Sequence, residues 1–413
     1  MSGVSDLKSF DSPFNQKASQ YVNRRINEKI EIYDLTLEAD GEEMAGLRFK
    51  HSERIEIAKI LNEAGIHRIA IIGNSPKPTK GDIKSAEKIV ELGLKTRTSG
   101  FVKTIAEITT CYKIGLKDIT ILVGVNEKTL SPGTNGKTII DNSKQLIDHA
   151  KTLGLHVTFM GMDTTRASPE FLKYLFSQLE PMFDEYAIGD SLGRMTPFGI
   201  QYLVELISSW TCKPIQLHPH NTTSMATANC LSAVLNGVSV LHSSINGLGE
   251  FAGLSATEEC TAAIEVHAGI PLGINFSKLQ EASKLVSKIT GIPIPPNKPI
   301  TGKTAFAVPE TEEIQEFMFK LHLEGRFNLS MPLIPDLVGA KRIFSIGRKC
   351  NPYTIIFNLN EHGYAITFEN ARKLARDVRE HLKRRRGHYL MEDTELVEFY
   401  KKASYFKGEQ GTK

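Results

Sequence analysis

The sequence predicts a closed (β/α)₈ barrel followed by a small, mostly helical C-terminal region. Three observations carry this expectation. Short apolar runs of strand length recur in order, and amphipathic stretches of helix length separate them. Eight such units take up about 240 residues, the size of such a barrel, and the alternation stops past about residue 290.

The strand-like runs are IEIYDLTL (30–37), RIAII (68–72), LKTRTS (94–99), DITILVGV (118–125), HVTFMGM (156–162), EYAIGD (185–190), PIQLHPH (214–220) and VSVLHSSI (238–245). Between them lie SERIEIAKILNEAG (52–65), KSAEKIVELG (84–93), NSKQLIDHAKTLG (142–154), SPEFLKYLFSQL (168–179) and SMATANCLSAVLNG (224–237). Their apolar residues recur at three- and four-residue steps, and several close on a glycine suited to a helix C-cap. The alternative is an open doubly wound sheet, but no G-x-G-x-x-G follows the first strand.

Residues 1–28 are polar and without period and read as an N-terminal arm, and 29–290 form the barrel. The Pro- and Gly-rich stretch 291–303 reads as a linker. Residues 304–413 form the C-terminal region, with helices expected over 310–323 and 365–383 and a frayed end at KGEQGTK.

Of 413 residues, 41% are hydrophobic and 23% charged, as in ordinary globular chains. Fifty Lys and Arg against 47 Asp and Glu leave a formal charge of +3, too balanced to indicate nucleic acid or an anionic membrane as the main partner. Five cysteines lie far apart, which fits a reducing cytoplasm. The first residues lack the apolar core of a secretory signal, and no apolar run is long enough to span a bilayer. A cytoplasmic location is therefore expected.

In a barrel of this kind, functional side chains project from the C-terminal strand ends. His218 and His220 flank Pro219 at the end of the seventh strand, and an i, i+2 pair on extended backbone points both imidazoles the same way. Asp34 lies in the first strand, which neighbours the seventh across the eighth once the barrel closes. Asp34, His218 and His220 are thus the expected ligands of one divalent ion, Mn²⁺, Co²⁺, Zn²⁺ or Mg²⁺, with positions left open for substrate. His242, inside the eighth strand, reads as a packed core histidine. The loop SPGTNGKT (131–138) lacks phosphate-loop spacing and reads as a flexible connection, and the basic run Lys383 to Arg386 reads as a solvated helix end.

The stretch Asp34-Leu-Thr-Leu followed by Asp40-Gly41-Glu42, then LHPHN (217–221), then NGLGEFAG (246–253), resembles the pyruvate carboxyltransferase-type family. That family includes isopropylmalate, homocitrate and citramalate synthases and hydroxymethylglutaryl-CoA lyase. MDTTRASPEFL (162–172) and IGDSLGRMTP (188–197) resemble its fifth and sixth strand ends, and GRKCNPYTIIFNLNEHGYAI (347–366) and LMEDTELVEFY (390–400) resemble the helical subdomains of the synthases. The resemblance implies a metal-assisted Claisen condensation between an acyl-CoA and a 2-oxo acid, carried out by a homodimer.

Several chemical positions depart from the family pattern. Its D-x-T-L-R-D-G motif holds an Arg that contacts the acceptor, whereas this chain has Glu38 and Ala39 there, with one extra residue. Ala70 replaces a Glu of the second strand, Leu254 replaces a metal-ligating Asn, and FAVPETEE (306–313) lacks both His of the C-terminal motif. An acidic acceptor must therefore be held differently. Arg97, near the end of the third strand, and Arg166, after the fifth, are the expected replacement cations, and Glu250 and Glu38 the expected bases, with Glu250 preferred because it matches a residue of the family. The rival expectations are a metal-dependent C–C lyase or aldolase and a degenerate barrel retained as a binding subunit.

Overall fold

Parallel pairing runs without interruption from the first strand to the eighth and back again, in the order 1-2-3-4-5-6-7-8, which closes the predicted barrel. The structure is a computed structural model and describes residues 12, 14, 26–27, 29–39, 44–73, 79–129, 135–331, 333–387 and 389–403. Most of the predicted arm, residues 40–43 with the Asp-Gly-Glu motif, 130–134 with the first part of the SPGTNGKT loop, and the KGEQGTK end lie outside the described residues.

The barrel comprises β1 (Glu31–Asp34), α1 (His51–Ala64), β2 (Arg68–Ile72), α2 (Lys80–Glu91), β3 (Arg97–Val102), α3 (Ile105–Ile114), β4 (Asp118–Gly124), α4 (Gly136–Thr152), β5 (His156–Met162), α5 (Pro169–Leu179), β6 (Glu185–Asp190), α6 (Pro197–Ser208), β7 (Ile215–Pro219), α7 (Ala226–Leu235), β8 (Val240–Ser243), α8 (Thr257–Ala263) and α9 (Phe276–Thr290). The helices begin where the sequence supplies caps. Thr79 with Asp82 and Thr104 with Glu107 form reciprocal capping boxes, and Ser168-Pro169 and Thr196-Pro197 place a cap before a proline at the first turn. The Gly-Lys-Thr of the predicted flexible loop instead opens α4, capped by Asn135, which accepts from the Thr138 N–H.

Inside the barrel, Tyr33, Leu35, Ala70, Phe101, Leu122, Met160, Ala187, Val240 and Leu254 form one apolar cluster. Its members come from nearly every strand, so it marks the lumen-facing rows of the pleat. Below it, at the N-terminal strand ends, Arg68 donates to Glu185 through Nη1 (2.8 Å) and Nη2 (3.1 Å) and through Nε to Glu31. Burial works against the charge on Glu31, but Lys29 and the Arg68 guanidinium outweigh it and hold this carboxyl down at about 2.

The third strand differs from its expected range. It runs over 97–102, not 94–99, because Gly100 belongs to the strand and not to a turn. A Cβ there would come within 2.7 Å of the Ile72 side chain and 2.8 Å of Cys111 Sγ, so glycine permits close packing against the neighbouring strand and α3.

A second compact unit covers Pro295–Lys413. It holds a two-stranded parallel sheet of β9 (Ala307–Val308) and β10 (Ile343–Phe344), with α10 (Glu312–Leu323), α11 (Pro352–Glu361), α12 (Phe368–Leu382) and α13 (Asp393–Lys402). Its core joins Ile355 and Leu359 of α11, Leu374 and Val378 of α12, and Leu396 and Tyr400 of α13. The basic run follows the end of α12 and is exposed, as expected. No helix among the described residues is long and apolar enough to cross a membrane.

Candidate metal and substrate site

β7 places His218 and His220 as its alternation predicts. Both are buried, and their Nε2 atoms converge to 3.1 Å. Burial, together with the neighbouring imidazoles, pushes His218 well below the usual histidine range. Burial also lowers His220, with the Glu250 main chain and the Asp190 charge acting in the opposite direction. Two neutral imidazoles side by side present nitrogen donors to a cation. A separation of 3.1 Å would let one cation reach both nitrogens.

The loops around His220 are fixed by backbone. His220 pairs with Leu254 in an isolated antiparallel bridge, and Asn221 N–H donates to the Gly253 carbonyl at 2.8 Å. Gly253 has φ 79°, and a Cβ on it would fall 1.8 Å from the Gly247 carbonyl oxygen, so no other residue fits. Phe251 beside it, also at positive φ (52°), is 73% exposed and sets its ring 6.3 Å from that of His220.

Asp34 corrects the expected triad. Its neighbours Tyr33 and Leu35 face the lumen, so strand alternation turns Asp34 outward, toward the helices. There its carboxylate accepts from Thr257 Oγ1 of α8 (2.6 Å) and from its own loop at Thr36 N–H (2.9 Å). Burial raises its pKa, with these hydrogen bonds opposing the shift. Asp34 thus ties β1 to α8, on the wrong face of the strand to meet the two imidazoles. Among the described residues no group of three His, Cys, Asp or Glu is placed to hold a metal ion. Leu254, where the family pattern has a ligand, is packed in the lumen cluster.

A cavity of about 290 Å³ opens over the two imidazoles. Its walls include Glu38 and Glu250, the cations Lys103 and Arg166, Asp163, and an apolar side made by Phe101, Leu122, Met160 and Met162. Glu38 is buried after β1 and packs against Gly73 past the end of β2, while Arg54 of α1 braces this turn through the Leu37 and Ile71 carbonyls. Arg166 donates Nε and Nη2 to the two oxygens of Asp163 (2.7 and 2.6 Å), which also accepts from Asn126 Nδ2. The mouth therefore gathers Glu38, Arg166, His218, His220 and Glu250 of the expected site residues.

Arg97 is not among them, which corrects the second expectation. It is the first residue of β3, so it sits at the opposite end of the barrel, bridged to Asp118. The cation at the mouth end of the third strand is Lys103, which the sequence reading missed. The signal was present: extending that strand through Gly100 to Val102 puts Lys103 at its C-terminal end.

His242 is a core residue, as expected, but a polar one. It is fully buried, its ring stands edge-on to Tyr33 and to His218, and it bonds His218 and Gln216.

The family described as HMGL-like matches residues 29–286. The chain is 30% identical to the (R)-citramalate synthase CimA of Methanocaldococcus jannaschii over 85% of its own length and 70% of that protein's. It is 27% identical to the homocitrate synthase AksA of Methanothermobacter thermautotrophicus, covering 94% and 96% of the two chains. Among solved structures, hydroxymethylglutaryl-CoA lyase from Pseudomonas aeruginosa superposes with a TM-score of 0.57 at 19% identity, over 65% of this chain and 95% of that one, a likeness of fold.

Proposed function

The chain belongs to the HMGL-like family, and from that premise we propose that it is a metal-dependent acyltransferase that joins the acetyl group of acetyl-CoA, or another acyl-CoA, to the keto carbon of a 2-oxo acid. The observation that carries this reading is the convergence of His218 and His220 Nε2, 3.1 Å apart, in a cavity walled by three carboxylates and two cations. The synthases similar to it span most of the chain, second unit included.

The described residues fit a divalent ion through the two imidazoles, with the Glu38 carboxylate on the same cavity wall. The chemistry such an ion supplies is polarisation of a ketone oxygen and stabilisation of the alkoxide that develops on the acceptor. Glu250 takes a proton from the carbon next to the thioester carbonyl. The resulting carbanion adds to the keto carbon of the acceptor, and water cleaves the thioester to release the CoA thiol. Lys103 and Arg166 hold the acceptor's carboxylate, the task that Glu38 at the family's Arg position cannot perform. By the same resemblance the enzyme works as a homodimer in the cytoplasm.

The test is CoA thiol release from acetyl-CoA by the full chain loaded with Mn²⁺, Co²⁺, Zn²⁺ or Mg²⁺, across a panel of 2-oxo acids. Release that depends on both metal and acceptor is expected. A complete absence of release, with 3-hydroxy-3-methyl acyl-CoA cleaved instead, replaces this reading with a lyase.

A further inference from the structure

A chain of hydrogen bonds rises from the barrel floor to the lumen, and each link fixes the proton of the next. Glu185 accepts two N–H groups of Arg68 (2.8 and 3.1 Å), one on each oxygen, so both of its oxygens act as acceptors. Gln216 of β7 faces it. The amide nitrogen must point at this carboxylate and at Thr158 Oγ1 (3.1 Å), because the reversed amide sets oxygen against oxygen. Gln216 Oε1 is then left facing His242 Nε2 at 2.6 Å, and an amide oxygen only accepts, so His242 carries its proton on Nε2.

His242 is fully buried, with Tyr33, Phe101 and His218 around its ring, so the uncharged imidazole is the form that fits there. A neutral imidazole has one N–H, so His242 Nδ1 is a lone pair. It lies 3.1 Å from His218 Nδ1, which must donate to it. The other ring nitrogen of His218, Nε2, is thereby bare, and it is the one beside His220 Nε2.

We infer that Gln216 and His242 are positioning residues that lock His218 in the tautomer with its proton on Nδ1, presenting the Nε2 lone pair to the lumen for a divalent cation. The inference builds on the metal reading above. It assigns to the interior of β7 and β8 a task beyond packing: the anchor is the Arg68–Glu185 pair at the far end of the barrel, and the order is passed upward through one amide and one imidazole. Outer partners of this kind set both the orientation and the basicity of a ligand.

The experiment uses the full-length chain labelled with ¹⁵N-histidine and free of metal. Long-range ¹H–¹⁵N spectra of the wild type are expected to show His242 protonated at Nε2 and His218 at Nδ1. Mn²⁺ binding is then followed by electron paramagnetic resonance. His242→Leu removes the acceptor while keeping an apolar side chain of similar size, and is expected to weaken Mn²⁺ binding about ten- to hundredfold. His242→Gln can present its oxygen to His218 and its amide nitrogen to Gln216, and is expected to recover most of that loss. A His218 proton on Nε2, Mn²⁺ binding by His242→Leu at the wild-type level, or equal losses in the two variants overturns the inference. The spectra decide the matter even where a variant does not fold. The expected tautomers in a wild type that takes up no Mn²⁺ remove the metal reading and leave the proton chain standing.

Discussion

The two ends of the barrel use similar residues to opposite effect. At the floor, Glu31 and Glu185 are buried and share the Arg68 guanidinium, and Arg97 is bridged to Asp118. At the mouth, two buried histidines are kept neutral by desolvation, and carboxylates and cations stand round a cavity. A charge whose partner is built into the protein holds the fold together. Donors and charges gathered around open space, Arg166 and Asp163 paired with each other among them, also face a ligand that enters it. The difference is sharpest when each end is damaged in turn.

At the mouth, His218→Ala is expected to abolish bound metal and to lower kcat/KM by about three orders of magnitude or more, with the melting temperature little changed. Metal analysis and CoA release measure both. At the floor, Arg68→Leu leaves Glu31 and Glu185 buried without their shared guanidinium and is expected to cost about 3–5 kcal/mol of stability, read from the denaturation midpoint. Equal damage to stability from both substitutions would erase the contrast.

The floor also sets an acid limit. Glu31 is held at about 2 in the fold and returns to near 4.5 when unfolded. Because the folded value is the lower, its stabilisation is complete above pH 4.5 and drains away as the pH falls toward 2. A loss on the order of 3 kcal/mol over that window is expected from linkage, absent in Glu31→Gln. Denaturation midpoints across the range measure it.

The architecture was legible because each strand–helix unit carries its own period and caps, and eight such units admit few closures. The histidine pair was legible for the same local reason, since i, i+2 spacing on a strand decides a shared face. What failed was phase. Asp34 was chosen by its neighbouring strand without asking which face it takes, and the lumenal rows of Tyr33 and Leu35 exclude it. Arg97 failed because the predicted strand stopped at Ser99, whereas Gly100 lies inside it, packed tightly against Ile72 and Cys111. Reading one strand three residues early exchanged the two ends of the barrel and hid Lys103. The Gln216–His242–His218 chain joins β7 to β8 and is visible only in three dimensions.

Lys103→Met tests that exchange. It removes a cation from the cavity wall while keeping length and apolar bulk, and is expected to raise KM for the 2-oxo acid about tenfold, or roughly 1.4 kcal/mol, with little change in KM for the acyl-CoA. Arg97→Met, at the floor, is expected to leave both unchanged. A shift in acceptor KM from Arg97→Met and none from Lys103→Met would mean the acceptor is not held at this mouth.

The smallest effect is expected at the residue the sequence placed at the centre. Asp34→Asn keeps one acceptor, for the Thr36 N–H, and sets its amide N–H₂ against Thr257 Oγ1, which can accept it and donate instead to Ser243 Oγ at 2.8 Å. The change removes a buried carboxyl whose charge burial already disfavours, so a stability change of about 1 kcal/mol in either direction is expected. Metal affinity should stay within about twofold of wild type, because the side chain faces α8 and not the imidazoles. Loss of metal in a folded Asp34→Asn protein, measured by Mn²⁺ titration, would require β1 to turn its other face to the lumen. That turn would send Tyr33 and Leu35 out of the barrel core, so the packing of two large buried side chains decides where a single carboxylate can act.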